Sequence, residues 1–157
     1  MSSDHHNSNP NRVQAFLDEL LSANFRGEAK CPGDEGYDKL NRRWNMRTTS
    51  SPLCILSPED ETSISIGLKA ARRQYFGVGV QCGGHHAGKT AAPEDGILIH
   101  MKKIRHVELD RDDLTIRFGG GCLWSDVYGA LLGTGLECTG GGVHNVGVGG
   151  FLTGGGE

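Results

Sequence analysis

Ten residues near the middle of the chain, QCGGHHAGKT from Gln81 to Thr90, combine phosphate-binding and nucleophilic groups in one short stretch. Gly83 to Thr90 satisfies GxxxxGK[ST], a pattern in which backbone N–H groups and a lysine cradle nucleotide phosphates. Gly83-Gly84-His85 also reads as a tight glycine turn, a concave nest of N–H groups with an imidazole beside it. Both readings place a phosphate on this loop. They differ in what must follow it.

A nucleotide-hydrolase loop runs straight into a helix, whose N-terminal dipole faces the phosphates. Here Lys89-Thr90 is followed by Ala91-Ala92-Pro93-Glu94-Asp95-Gly96, where proline and glycine interrupt any helix within a turn or two. The best magnesium-binding acid on offer, Asp110, opens a charged turn, Asp110-Arg111-Asp112-Asp113. The sequence therefore disfavours a P-loop nucleotide-binding protein. A metal centre is not expected either. His85 and His86 are adjacent and point apart in an extended loop, and no Cys/His set has ligand spacing. His5, His6, His100 and His106 read as surface or loop residues, and His144 as a loop residue.

The elements that must position the loop are short. Val13, Phe16, Leu17, Leu20 and Leu21 recur at helical spacing after a polar stretch, residues 1–11, that reads as disordered. Residues 26–50 read as loop, with Trp44 as their one large aromatic anchor. Leu53-Cys54-Ile55-Leu56 is a buried strand. Ser57 then reads as the N-cap of a helix that has Pro58 at its first position, runs to about Gln74 and buries Ile64, Leu68 and Ala71. Phe76 to Val80 is a strand that delivers the chain into the loop. Further strands are expected at Ile97–Ile99, His106–Leu109 and Leu114–Phe118. A helix follows with Leu123, Trp124, Val127, Tyr128, Leu131 and Leu132 on one face. The class is mixed α and β with short strands.

Composition narrows the partners. The 157 residues suit a single domain, and a net charge of -3 offers no basic surface for nucleic acid. No apolar run approaches a membrane span, and the polar amino terminus shows no signal segment. A reducing, cytoplasmic setting is the default. Five scattered cysteines without a CxxC pair indicate neither a disulfide framework nor a zinc site. Of 25 glycines, 15 fall between Gly119 and Gly156, interleaved with Val143, Val146, Val148 and Phe151. That mixture reads as tightly packed backbone that approaches a ligand or another segment closely.

The order of three motifs resembles the FAD-binding domain of the vanillyl-alcohol oxidase type, most of all the berberine-bridge-enzyme-like FAD-linked oxidoreductases. They are Cys82-Gly83-Gly84-His85-His86, then Gly119 to Tyr128, then Val146 to Gly156. The resemblance covers Trp44 to Glu157 and implies an N-terminal tail, helix and loop over 1–43 followed by an FAD-binding portion over 44–157. It implies an α+β fold and FAD as cofactor. The implied contacts are Gln81, Cys82, Gly83, Gly84, His85 and His86 over the pyrophosphate, with Gly121, Gly142, Val146, Gly147 and Gly150 in the glycine-rich segments. His85 matches the histidine bonded covalently to the flavin ring in many members. Val143 stands where doubly linked members carry cysteine, so one link through His85, or none, is implied. Gln81, Cys82 and His86 replace the arginine, serine and serine or threonine common at these places. Asp126 matches a position that is often polar and reads as a residue that caps or solvates its helix.

The resemblance further implies oxidation of a small-molecule substrate with oxygen as acceptor. The substrate domain and catalytic base of such enzymes lie beyond the matched region, and no catalytic residue is expected within residues 1–157. A fragment of such an enzyme, or a non-catalytic remnant of one, are the two expectations for the chain.

Overall fold

In the computed structural model, which describes residues 10–45, 50–88 and 93–156, a four-stranded sheet organises the first part of the chain. Helix α1 (Pro10–Ser22) leads into strand β1 (Gly27–Lys30) and short helix α2 (Tyr37–Asn41). Strand β2 (Cys54–Pro58), helix α3 (Glu61–Arg73), strand β3 (Gly77–Gln81) and strand β4 (Gly96–His100) follow. The spatial order is β1-β2-β4-β3. β1 is antiparallel to β2, while β4 runs parallel to both β2 and β3.

Every residue of β2 is buried, because helices cover both faces of the sheet. Side chains alternate across a strand. Cys54, Leu56 and Ile97 therefore meet Phe16 and Leu20 of α1 and Ala70 and Ala71 of α3. Ile55 and Leu98 face the other way, onto Tyr37 and Leu40 of α2. The Tyr37 hydroxyl donates to the Pro52 carbonyl at 2.7 Å, and burial pushes its pKa up to about 12.

Several boundaries differ from the sequence reading. The expected loop over 26–50 contains β1 and α2, since Gly27 to Lys30 gain partners only by pairing with β2. Pro10 and Asn11, read as tail, already belong to α1. Ser57 and Pro58 extend β2 instead of starting a helix. The N-cap is Asp60, whose carboxylate accepts the Ser63 N–H at 2.7 Å. This shift rotates α3, so Ser63, Gly67, Ala70 and Ala71 are buried while Leu68 is exposed and Ile64 only half-buried. Leu21 and Leu132 also face solvent.

The second part packs separately around one indole. Hairpin strands β5 (Val107–Asp110) and β6 (Thr115–Phe118) lie against helix α4 (Trp124–Leu131) and short helix α5 (Val148–Thr153). Trp124 is buried among Phe118, Tyr128 and Phe151, with ring centroids 6.4, 5.6 and 5.2 Å away. At the start of α4, Asp126 accepts the Leu123 N–H at 2.7 Å and pairs with Arg105 through two nitrogens at 2.9 and 2.5 Å. Burial opposes its ionisation, but the Arg105 and Leu123 hydrogen bonds hold the carboxyl below its usual range. Asp126→Ala should therefore cost about 1 kcal/mol. A denaturant midpoint that moves accordingly, with an unchanged slope, checks it.

A candidate dinucleotide cavity between two glycine segments

β3 ends at Gln81, and residues 82–95 connect it to its parallel neighbour β4. The loop thus leaves the carboxyl end of a parallel strand, where open α/β sheets place their ligands. A second segment is brought against it by backbone pairing. Residues 144–148 lie along residues 122–125 through Ser125 N–H to His144 carbonyl at 2.8 Å, Trp124 N–H to Val146 carbonyl at 3.1 Å and Val148 N–H to Cys122 carbonyl at 2.9 Å.

The two segments touch through glycines. A Cβ on Gly83 would sit 2.4 Å from the Gly147 nitrogen, and one on Gly147 would sit 2.3 Å from the Gly83 nitrogen. No other residue permits this backbone-to-backbone contact. Gly84 adds a positive φ of 72°, which turns the loop back on itself.

A cavity of about 500 Å³ opens beside the contact, lined by Gln81, Cys82, Gly83, Gly84, His85, His86, Val146, Gly147 and Gly150 among the expected residues. That size lies within the range of cofactor sites. Gly121 lies outside it, bordering a neighbouring space of about 360 Å³ shared with Gln81 to Gly83. Its own Cβ would fall 1.8 Å from the Met101 carbonyl, so backbone packing demands this glycine. Gly142 borders neither space and is exposed. Lys89 and Thr90, the last residues of the P-loop pattern, lie outside the described residues.

The structure brings to the loop Arg43 and Trp44, which the sequence reading did not assign to the site. Arg43 is buried at the cavity wall, where desolvation lowers its pKa. The Trp44 N–H donates to the Gly84 carbonyl at 3.2 Å, and the Trp44 indole stacks on His85 at 5.2 Å and 17°. Gln81 donates from its side chain to the Arg42 carbonyl at 3.2 Å. Adjacent arginines before a tryptophan were the available signal, hidden because residues 26–50 carry no periodicity. Two buried acceptors beside the glycines, Gln81 Oε1 and Asn145 Oδ1, have no hydrogen-bond donor among the described residues. The glycine-lined cradle and the buried arginine fit a phosphate, and the two orphaned acceptors call for a donor such as a hydroxyl on the same polar occupant.

His100 ends β4 next to Gln81 and is far from a bland surface histidine. Burial, then Lys102 and Arg43, push its pKa down to about 4 from an ordinary 6.5. The folded chain holds it neutral, so on acidification the unfolded chain takes up a proton that the folded chain refuses. Its contribution to stability is intact above pH 6.5 and drains away as the pH falls toward 4. The loss amounts to roughly 3 kcal/mol across that window. His100→Gln should flatten this part of the stability–pH curve, as measured by urea unfolding from pH 7 to 4.

Comparison with known proteins fits this geometry. A family model described as an FAD binding domain matches residues 52–157. The chain is 30% identical over 141 residues to the FAD-linked oxidoreductase pgmH of Aspergillus terreus, covering 88% of this chain and 29% of that protein. It is 32% identical over 139 residues to the bifunctional solanapyrone synthase of Alternaria solani, covering 87% and 27%. Among solved structures, 6-hydroxy-D-nicotine oxidase from Arthrobacter nicotinovorans superposes with a TM-score of 0.78 at 24% identity, over 81% of this chain and 28% of its own. The BBE-like 1 protein of Physcomitrella patens gives 0.76 at 20%, over 85% and 29%. These likenesses carry the fold, which is the mixed α and β FAD-binding fold of the vanillyl-alcohol oxidase type expected from the motif order. The chain spans less than a third of the length of these curated relatives. Among the described residues, no helix is long and apolar enough to cross a membrane. This chain therefore belongs to the FAD-binding-domain family carried by FAD-linked oxidoreductases.

Proposed function

We propose that the cavity beside the Gly83–Gly147 contact holds the FAD pyrophosphate, and that the whole protein oxidises a small organic substrate with oxygen as acceptor. One observation carries the reading: two glycine segments far apart in sequence meet backbone to backbone, in a contact that a Cβ on Gly83 or Gly147 would break, and leave a cavity beside it. Backbone N–H groups of Gly83 and Gly84 serve the phosphates, and buried Arg43 supplies the positive charge. Val146, Gly147 and Gly150 form the opposite wall. FAD, when bound, supplies the two-electron chemistry.

His85 is the residue through which we propose the cofactor is tethered. Trp44 stacked on the imidazole holds its plane at the cavity. The oxidase reading draws on the relatives, among them an FAD-dependent monooxygenase of Penicillium terrestre and a chitooligosaccharide oxidase. A cytoplasmic setting belongs to the same proposal, supported by five cysteines that stand as free thiols. Denaturing the purified protein and reading flavin absorbance on the polypeptide tests the tether. Wild type should retain it and His85→Ala should lose it, whereas flavin that extracts completely from wild type removes the tether from the account.

A further inference from the structure

Cys31 and Cys54 face each other where β1 leaves the sheet. The strand register pairs Lys30 with Ile55, so the next position sets Cys31 against Cys54. Facing residues of an antiparallel pair lie about 4.5–5.5 Å apart at Cα, inside the roughly 4.4–6.8 Å that a disulfide spans. Both side chains belong to the apolar cluster under α1 and α3. Cys54 is buried and Cys31 only partly so. Contact between the two thiols holds the pKa of Cys31 below its usual range and, with burial, raises that of Cys54. Cys82 and Cys122 are engaged otherwise: the Cys82 thiol donates to the Cys122 carbonyl and the Cys122 thiol to the His106 carbonyl.

We propose that Cys31 and Cys54 form a redox pair, closed to a disulfide by exchange with a small-molecule disulfide such as oxidised glutathione. Cys31, the accessible thiol, attacks one sulfur as its thiolate and expels one glutathione thiolate, leaving a mixed disulfide. Cys54 then attacks the Cys31 sulfur and passes its proton to the second departing glutathione. Two protein thiols lose two electrons, and one small disulfide becomes two thiols. The bond closes a loop over residues 31–54, which carries α2, Arg42, Arg43 and Trp44. Oxidation thus clamps the segment whose Arg42 carbonyl, Arg43 and Trp44 meet Gln81, the cavity and His85. In a reducing setting the clamp is open.

The purified protein is incubated with oxidised glutathione, alkylated after denaturation and mapped by peptide mass spectrometry. The expected result is one Cys31–Cys54 bond, a mass lower by two hydrogens and a thermal midpoint raised by about 5–10 °C. Dithiothreitol should reverse both changes, and Cys31→Ser should prevent them. The proposal is overturned if a wild-type chain with native circular dichroism keeps both thiols alkylatable or stops at a glutathione adduct on Cys31. A bond mapped to other cysteines overturns it too, as does closure that leaves the midpoint unmoved. None of these readouts depends on flavin, so they fail independently of the FAD reading.

Discussion

Gly147→Ala should weaken FAD binding at least tenfold and destabilise the chain by about 1–3 kcal/mol, the usual cost of overpacking. The added methyl would lie 2.3 Å from the Gly83 nitrogen, 2.5 Å from Cys82 Sγ and 2.9 Å from Cys82 Cβ. Its nearest neighbour is backbone, which cannot swing aside as a flexible side chain can. The two segments must therefore part, and the cavity between them loses its shape. Gly83→Ala pushes on the same contact from the other side, 2.4 Å from the Gly147 nitrogen. The double variant should accordingly cost much less than the sum of the singles, because the first substitution already separates the segments. Gly150→Ala is the control. It lines the same cavity, yet nothing lies within 4 Å of its added Cβ. Thermal melts followed by circular dichroism, together with FAD titrations, should separate the first two variants from the third.

Trp124→Ala should cost about 3–5 kcal/mol, a large share of the roughly 5–15 kcal/mol that holds a domain folded. The indole is 1% exposed and fills the space between Phe118, Tyr128 and Phe151. Gly140 and Gly141 lie so close to it that a Cβ on either would fall within 2.5 Å of its ring atoms. Truncation leaves a cavity that this rigid aromatic cluster cannot close. The damage should reach the Gly147 segment, since collapse into the vacated space shifts the start of α4, where the backbone N–H of residue 124 donates to the Val146 carbonyl one residue before Gly147. Trp124→Phe should recover a substantial part of the loss. Urea midpoints for the two variants, with flavin retention measured on each, check both statements.

The strands around the site were legible because each is a short apolar run bounded by turn residues, as Leu53 to Leu56 and Ile97 to Ile99 illustrate. The two glycine segments were legible as well, since only close backbone approach explains so many glycines among valines. Three features were hidden. β1 carries Gly-Glu-Ala-Lys, which has no strand signature and becomes a strand only by pairing with β2. Ser57-Pro58 imitates a helix start, but the demands of the sheet carry β2 through both residues and leave capping to Asp60. The placement of Arg43, Trp44 and His100 at the Gln81–His86 loop is tertiary: they come from two segments outside it, and no local pattern links them to Gly84, His85 or Gln81.

The central claim is that this chain cradles a pyrophosphate between Gly83 and Gly147, and competition binding tests it most directly. FAD is titrated into the folded His85→Ala chain, which cannot form the tether, while flavin fluorescence is followed, and ADP or riboflavin is then added as competitor. The account predicts saturable binding of one FAD per chain, displaced by ADP, which shares the pyrophosphate, and far less by riboflavin, which lacks it. A chain with native circular dichroism that binds no FAD, or that yields FAD to riboflavin as readily as to ADP, would contradict it.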